Sequence, residues 1–207
     1  MLVGNRMTKH PVTIGPDELL SAAKTKMEAG RFRRLPVMSE GALVDLITER
    51  DLREHTGHLN QVKVNGAMTE KIITIGPGAT VEEAAQILLK RQIGGLPVVE
   101  KGALIGLITA NDVMKAFLDV MGASAEGSAR IDFILEGEER GLTEASRIVN
   151  REGAEILGVG TYREKLGDNP VCYLRLLSGN AEKIARALRS GGFDVLGVHK
   201  IGGESKV

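Results

Sequence analysis

Tryptophan is absent from these 207 residues, aromatic side chains make up 3% of them, and there is a single cysteine. With so few flat rings the chain is poorly supplied with base-stacking platforms for single-stranded nucleic acid. Neither sign of charge prevails: Lys+Arg and Asp+Glu both number 27. No overall field therefore draws the protein to nucleic acid or to an anionic membrane, although local basic patches remain open. No apolar run approaches the length of a membrane span, and the N-terminus lacks the apolar stretch of a signal peptide, so a cytoplasmic protein with no membrane and no nucleic acid partner is expected. Cys172 alone cannot form an intrachain disulfide, and Val171, Tyr173 and Leu174 around it read as a buried strand. No Ser-His-Asp set, Gly-x-Ser-x-Gly, phosphate-binding Walker loop or metal-ligand set is visible, so the protein is not expected to be an enzyme. His55 and His58 flank Gly57 without a third ligand nearby, His10 and His199 stand alone, and Glu136, Glu138 and Glu139 suit a solvated turn.

What the chain does contain is a duplication. Val3 to Arg53 and Val64 to Met114 align without a gap at a spacing of 61 residues and agree at 18 of 51 positions, against roughly three or four expected from ordinary composition. The agreement reaches polar and backbone-special residues: Met7-Thr8 with Met68-Thr69, Thr13-Ile14-Gly15-Pro16 with Thr74-Ile75-Gly76-Pro77, and Leu35-Pro36-Val37 with Leu96-Pro97-Val98. Each unit is short for a core of its own, so two half-domains packed about a pseudo-twofold axis are expected.

Each repeat reads strand, helix, strand, strand, helix. In the second copy Ile72 to Ile75 suits a short strand, and Thr80-x-x-Glu83 forms a capping box. A helix follows with Val81, Ala84, Ala85, Leu88 and Leu89 on one face. Leu96 to Val99 and Leu104 to Ile108 are strands joined at Glu100-Lys101-Gly102, and Asn111-Asp112 opens a last helix through Leu118. The first copy turns at Ser39-Glu40-Gly41 and begins its last helix near Glu49. The repeats occupy 1–61 and 62–121, and the small, aperiodic stretch 122–128 reads as a linker. Residues 129–200 read βαββαβ, the order of a ferredoxin-like sandwich, with an antiparallel sheet and two helices on one face. Residues 201–207 form a tail, and the fold class is α+β.

Each copy ends in Thr-x-x-Asp: Thr48 and Asp51 in the first, Thr109 and Asp112 in the second. An Asp can accept from both vicinal hydroxyls of a ribose, while a Thr beside the amides of a helix start can donate to a phosphate. The plainer reading is that both pairs only cap helices, although capping alone does not require the same pair at the same place in both copies.

These residues resemble a known family. The string from Gly102 to Asp112, with Leu-Pro-Val upstream and Met-Thr before the first strand, is similar to a cystathionine-β-synthase-type (CBS) domain. Both copies match, so the resemblance is to a tandem CBS pair, or Bateman module. It implies two clefts for adenine nucleotides (AMP, ADP or ATP) or an adenosyl ligand such as S-adenosylmethionine, and commonly a homodimer. Carried over by position, Asp51 and Asp112 would hold ribose hydroxyls, Thr48 and Thr109 would lie near phosphate, and Thr13 and Thr74 would line the cleft made with the other repeat. Arg33 and Arg34 match positions that often hold phosphate, and Gly94 and Gly95 replace them in the second copy. An anionic nucleotide is therefore expected to prefer the cleft of Arg33, Arg34, Thr48, Asp51 and Thr74 over that of Thr109, Asp112 and Thr13. Asp45, which stands where the second repeat has Gly106, would weaken that preference if it faced the same cleft.

The C-terminal segment resembles an ACT domain, a regulatory ferredoxin-like module that often binds amino acids, through Glu139-Arg140-Gly141-Leu142 at the turn into its first helix. Arg140 stands where a proline is usual. Gly141 and Leu142 would form the ligand loop; otherwise Gly141 only relieves strain at a tight turn. The whole arrangement resembles bacterial acetoin-utilisation proteins. The implied function is regulatory: a sensor in which adenosyl-ligand binding to the CBS pair acts through the linker on an ACT-like sensing or oligomerisation module. The alternative is a non-catalytic subunit that docks onto an enzyme partner, with nucleotide as a structural ligand.

Overall fold

The computed structural model describes residues 1–68, 72–135, 140–165, 167–177 and 179–200. Thr69, Glu136, Glu138, Glu139 and the 201–207 tail lie outside the described residues. The chain forms two compact units, Met1–Ala116 and Phe117–Val207; their boundary falls ahead of the stretch read as a linker, within a helix.

In the first unit, the first repeat supplies β1 (Thr8–Lys9), α1 (Leu20–Gly30), β2 (Arg34–Ser39), β3 (Ala42–Thr48) and α2 (Glu49–Glu54). The second supplies α3 (Val81–Arg91), β4 (Gly95–Glu100), β5 (Ala103–Thr109) and α4 (Ala110–Val120). The hairpins share one register, with Leu35 opposite Ile47, Leu96 opposite Ile108, and a shift after Val37 and after Val98. Both turn tips hold two residues at positive φ, 50° and 81° at Glu40 and Gly41, 50° and 83° at Lys101 and Gly102. That mirror-image turn matches the right-handed strand twist, and glycine takes the second place without a Cβ clash.

The strand expected over Ile72 to Ile75 shrinks to one parallel bridge, Ile75 to Val98, matched by Ile14 to Val37. Gly-Pro follows each bridge residue, and a proline has no N–H with which to extend a ladder. The Thr80–Glu83 capping box forms, with the Glu83 N–H donating to Thr80 Oγ1 (3.1 Å) and the Thr80 N–H to Glu83 Oε2 (2.6 Å). Leu89, expected on the buried face of α3, is 79% exposed. At 100° per residue it lies about 80° around the helix from Val81, beyond the strip that Val81, Ala84 and Leu88 bury.

The repeats exchange their leading segments. Val3 belongs to the core of the second repeat, packed with Val81, Leu96 and Ile108, while Val64 belongs to the core of the first, with Leu20, Leu35 and Ile47. Both valines are fully buried. The backbone follows the same symmetry: Val3 N–H donates to Ala79 O and Gly4 N–H to Pro77 O (both 2.9 Å), Val64 N–H to Glu18 O (2.8 Å) and Asn65 N–H to Pro16 O (2.9 Å). Each half completes the other's hydrophobic core, so the relation between the halves is fixed by apolar burial. β1 adds to β5 with Lys9 opposite Gly106, and a Cβ on Gly106 would run into Met7 and the Thr8 carbonyl.

The second unit contains β6 (Ser128–Ile134), α5 (Arg140–Arg151), β7 (Glu155–Tyr162), β8 (Val171–Leu177), α6 (Ala181–Ser190) and β9 (Val195–Lys200). The four strands form one antiparallel sheet in the order β7-β8-β6-β9, the strand order of a ferredoxin-like sandwich. Ile131, Phe133, Leu174 and Leu176 from the sheet meet Val149, Ile184 and Leu188 from the helices in one core, and Phe133 and Phe193 pack edge to face with ring centroids 5.2 Å apart.

Truncating Val3 removes apolar contact from the second repeat although the residue precedes the first. Val3→Ala is expected to cost about 2 kcal/mol, read as a lower urea midpoint of the first unit's transition, with Val64→Ala giving a similar loss.

Candidate functional site

Both Thr-x-x-Asp pairs are helix caps. The Thr48 N–H and hydroxyl donate to Asp51 Oδ2, each at 2.7 Å. In the second repeat, the Thr109 N–H (2.9 Å) and hydroxyl (2.7 Å) donate to Asp112 Oδ2, and the Asp112 N–H returns a bond of 3.4 Å to Thr109 Oγ1. The plainer reading of these residues is thus realised, and it leaves room for the other. Among the described residues, Oδ1 of each Asp accepts no hydrogen bond. An aspartate held by its helix cap presents that oxygen without a rotamer search.

Each capped Asp borders a cavity between the repeats. The first, of about 590 Å³, is lined by Thr48 and Asp51 with Ile72, Ile73 and Ile93 from the second repeat. The second, of about 450 Å³, is lined by Thr109 and Asp112 with Pro11, Val12 and Phe32 from the first repeat. Each cavity thus sets one repeat's Thr-x-x-Asp against residues of the other, and at 61-residue spacing Ile72, Ile73 and Ile93 are the counterparts of Pro11, Val12 and Phe32. Thr13 and Thr74 are not among the lining residues; each lies next to the bridge residue, Ile14 or Ile75, and the apolar residues before it take the wall.

The arginines were expected in the first cleft alone. Arg33 and Arg34 line both cavities. The half-buried Arg34 side chain lies across Gly94 and Gly95: a Cβ on Gly94 would overlap its guanidinium, and one on Gly95 would come within 3.0 Å of its Cδ. The glycines of the second repeat are thus the bed for the arginine of the first. Four arginines meeting at the pseudo-axis would collide and repel, so the departure from symmetry is a steric and electrostatic solution. Burial, then the neighbouring Arg33 charge, lowers the Arg34 pKa from its ordinary value, and among the described residues neither guanidinium has an acidic partner. Asp45, 3% exposed, lines the first cavity, with its Oδ1 accepting from the Leu46 N–H at 2.8 Å.

In the second unit, Gly141 and Leu142 lie in the first turn of α5, which begins at Arg140. Gly141 is therefore helical where a tight turn was expected, and Leu142 packs against the sheet–helix core. The sheet carries a polar cluster that strand patterning did not single out. Arg130 donates to both Asp132 oxygens (2.6 and 3.0 Å) and lies over the Tyr162 and Tyr173 rings, 5.3 and 4.5 Å from their centroids. The hydrogen bond to Asp132 raises the Arg130 pKa. Across the ladder Arg175 is 6% exposed, and its buried Nε and Nη1 have no hydrogen-bond partner; burial, then the Arg130 charge, lowers its pKa. The available signal was a charge at alternate positions of otherwise apolar strands. No group of three or more His, Cys, Asp or Glu is placed for a metal among the described residues, and His55 instead meets Asp51 O through Nδ1 (2.9 Å).

Comparison with known proteins follows the same division of the chain. The CBS domain profile matches residues 3–57 and 63–119, more than half of the sequence. The chain belongs to the CBS-domain family. A Vibrio cholerae protein named for acetoin utilization, AcuB, is 30% identical with a TM-score of 0.52, covering 57% of this chain and 90% of that one. The CBS pair of protein MJ0100, solved with 5′-methylthioadenosine and S-adenosyl-L-methionine, is 27% identical with a TM-score of 0.53, covering 56% of this chain and 95% of that one. CBSX2, solved with AMP, is 26% identical with a TM-score of 0.50, covering 56% and 96%. CBS pairs similar to this one therefore hold adenosyl ligands, with and without phosphate. No helix among the described residues is long and apolar enough to cross a membrane.

Cys172 sits in the core of the second unit, and burial, with a smaller push from Asp132, raises its thiol pKa to about 11. The thiolate fraction near neutral pH is then about 100-fold below that of an ordinary cysteine. A disulfide reagent at pH 8 is expected to leave Cys172 unmodified in the folded chain and to react promptly after denaturation.

Proposed function

We propose that this protein is a regulatory sensor of adenine nucleotides or related adenosyl ligands, and that the two cavities between its CBS repeats are the binding sites. The observation that carries the reading is the pair of pseudo-symmetric cavities, each joining an unused Asp oxygen, an apolar wall and two arginines without acidic partners. Asp51 and Asp112 accept ribose hydroxyls, Thr48 and Thr109 border the phosphate or its substitute, and the base lies against Ile73 in one cleft and Val12 in the other. Arg34, already half-buried, supplies positive charge that costs little to desolvate further, and the exposed Arg33 adds a second cation beside it. Thr13 and Thr74 act only through the neighbouring wall.

The ligand alters the protein by binding one packing of the repeats better than another, and the shift is bounded by that difference in affinity. The second unit, with its ferredoxin-like strand order, serves as an ACT-like sensing or oligomerisation module. A homodimer is supported by the apolar side chains that α4 leaves at the surface, with Met114 61% and Leu118 43% exposed. The same exposed face favours a second reading, a non-catalytic subunit docked onto an enzyme, in which nucleotide is a fixed structural ligand. That reading requires a stable partner and a ligand that leaves only on unfolding.

Calorimetric titration of ligand-stripped protein with AMP, ATP, NAD and S-adenosylmethionine tests the proposal. At least one is expected to bind in the micromolar to millimolar range, on the order of −4 to −8 kcal/mol, and the double variant Asp51→Ala, Asp112→Ala is expected to abolish binding. Absence of binding by all four would refute the sensor reading. Ligand-dependent hydrogen exchange within residues 140–200 is the expected sign of coupling to the second unit.

A further inference from the structure

The two cavities share an apolar wall at equivalent positions but differ in electrostatic character, the first balanced and the second positive. Arg33 and Arg34 border both and cannot discriminate between them. The difference comes from residues that occupy equivalent places at 61-residue spacing. Asp45 of the first cavity corresponds to Gly106, which lies beneath β1 and has no room for a Cβ. Glu54 corresponds to Lys115, Glu49 to Ala110, and Gln92 of the first cavity to Arg31 of the second. The first cavity gains Arg50 and Arg53 in return, and Arg50 is held by Glu54 at 3.1 Å.

Among the described lining residues, the first cavity thus has four cations against four carboxylates. The second has Arg31, Arg33, Arg34 and Lys115 against Asp112 alone. Asp45 weighs more than its count, because it is almost fully buried and solvent screens a buried charge least. A polyphosphate entering the first cavity meets a carboxylate that cannot swing out to water; in the second it meets a surplus of positive charge.

Resting on the reading of both cavities as adenosyl sites, we propose that the two clefts are specialised by charge: the Asp112 cleft takes the polyphosphate nucleotide, and the Asp51 cleft takes an adenosyl ligand without net negative charge, with Asp45 as the residue that excludes phosphate. The protein then reads two different ligands at once, one per cleft. This reverses the preference that the position of the arginines in the sequence suggests.

The test is calorimetry of the full chain with magnesium-free ATP and with S-adenosylmethionine, each alone and in the presence of the other. ATP affinity is expected to fall about tenfold or more in Lys115→Gln and Asp112→Ala and to hold in Asp51→Ala, with S-adenosylmethionine showing the opposite dependence on the two aspartates. Lys115 is an exposed side chain, so its variant reports charge even where an aspartate variant loses its helix cap. Asp45→Asn is expected to let ATP enter the first cleft and so raise the stoichiometry from one to two. ATP binding that is lost in Asp51→Ala and unchanged in Lys115→Gln overturns the partition while the sensor reading stands; mutual displacement of the two ligands at one site does the same. Failure of both ligands to bind the wild-type chain removes the sensor reading and the partition together.

Discussion

The two repeats hold each other through two valines. Val3 and Val64 each leave the half to which the sequence assigns them and fill the core of the other, and the backbone bonds to Ala79, Pro77, Glu18 and Pro16 tie both leading segments in place. Because neither half closes its core alone, the distance between the two Thr-Asp caps and the opposite apolar walls is set by close packing, which tolerates little displacement. The clefts are a consequence of that exchange. A ligand that spans from Asp51 to Ile73, or from Asp112 to Val12, touches both repeats and therefore senses their relative position.

Symmetry at the centre cannot be complete. Two copies of an Arg-Arg pair would place four guanidinium groups together in a half-buried site, where the cost of desolvating like charges is largest. The chain keeps one pair and lays Arg34 on Gly94 and Gly95. The same logic applies at Gly106, where β1 pairs with the strand and leaves no space for a Cβ, while its counterpart Asp45 lines the first cavity. Small steric differences between equivalent positions thus become differences in the charge that lines each cleft.

The second unit shows another balance between burial and charge. Its helix-facing core is apolar throughout, whereas Arg130, Asp132, Tyr162 and Tyr173 form a joined polar network on the strands. Arg130 is well provided for, with a bidentate carboxylate and two ring faces. Arg175 beside it is buried with two donors unmet, a cost that native proteins rarely carry.

The alignment of Val3–Arg53 with Val64–Met114 determined the duplication, and local patterning determined the hairpins with their Glu-Gly and Lys-Gly tips, the Thr80 capping box, the buried Cys172 and the βαββαβ order of the last segment. These features follow from local backbone chemistry and from periodicity, which a linear sequence records directly. The resemblance to CBS domains, and not the residue pattern, implied that each Thr-x-x-Asp faces the opposite repeat, and it named Thr13 and Thr74 where the apolar residues just before them line the cavities. Missed in the sequence were the bridge in place of a strand at Ile75, the exposure of Leu89 and the helical state of Gly141, where neighbours in space or one turn of helix decide the outcome. Above all, sequence position assigned Arg33 and Arg34 to one cleft. Only the tertiary structure decided that they line both, because a side chain of Arg34's length crosses the pseudo-axis onto two glycines 60 and 61 residues away in the chain.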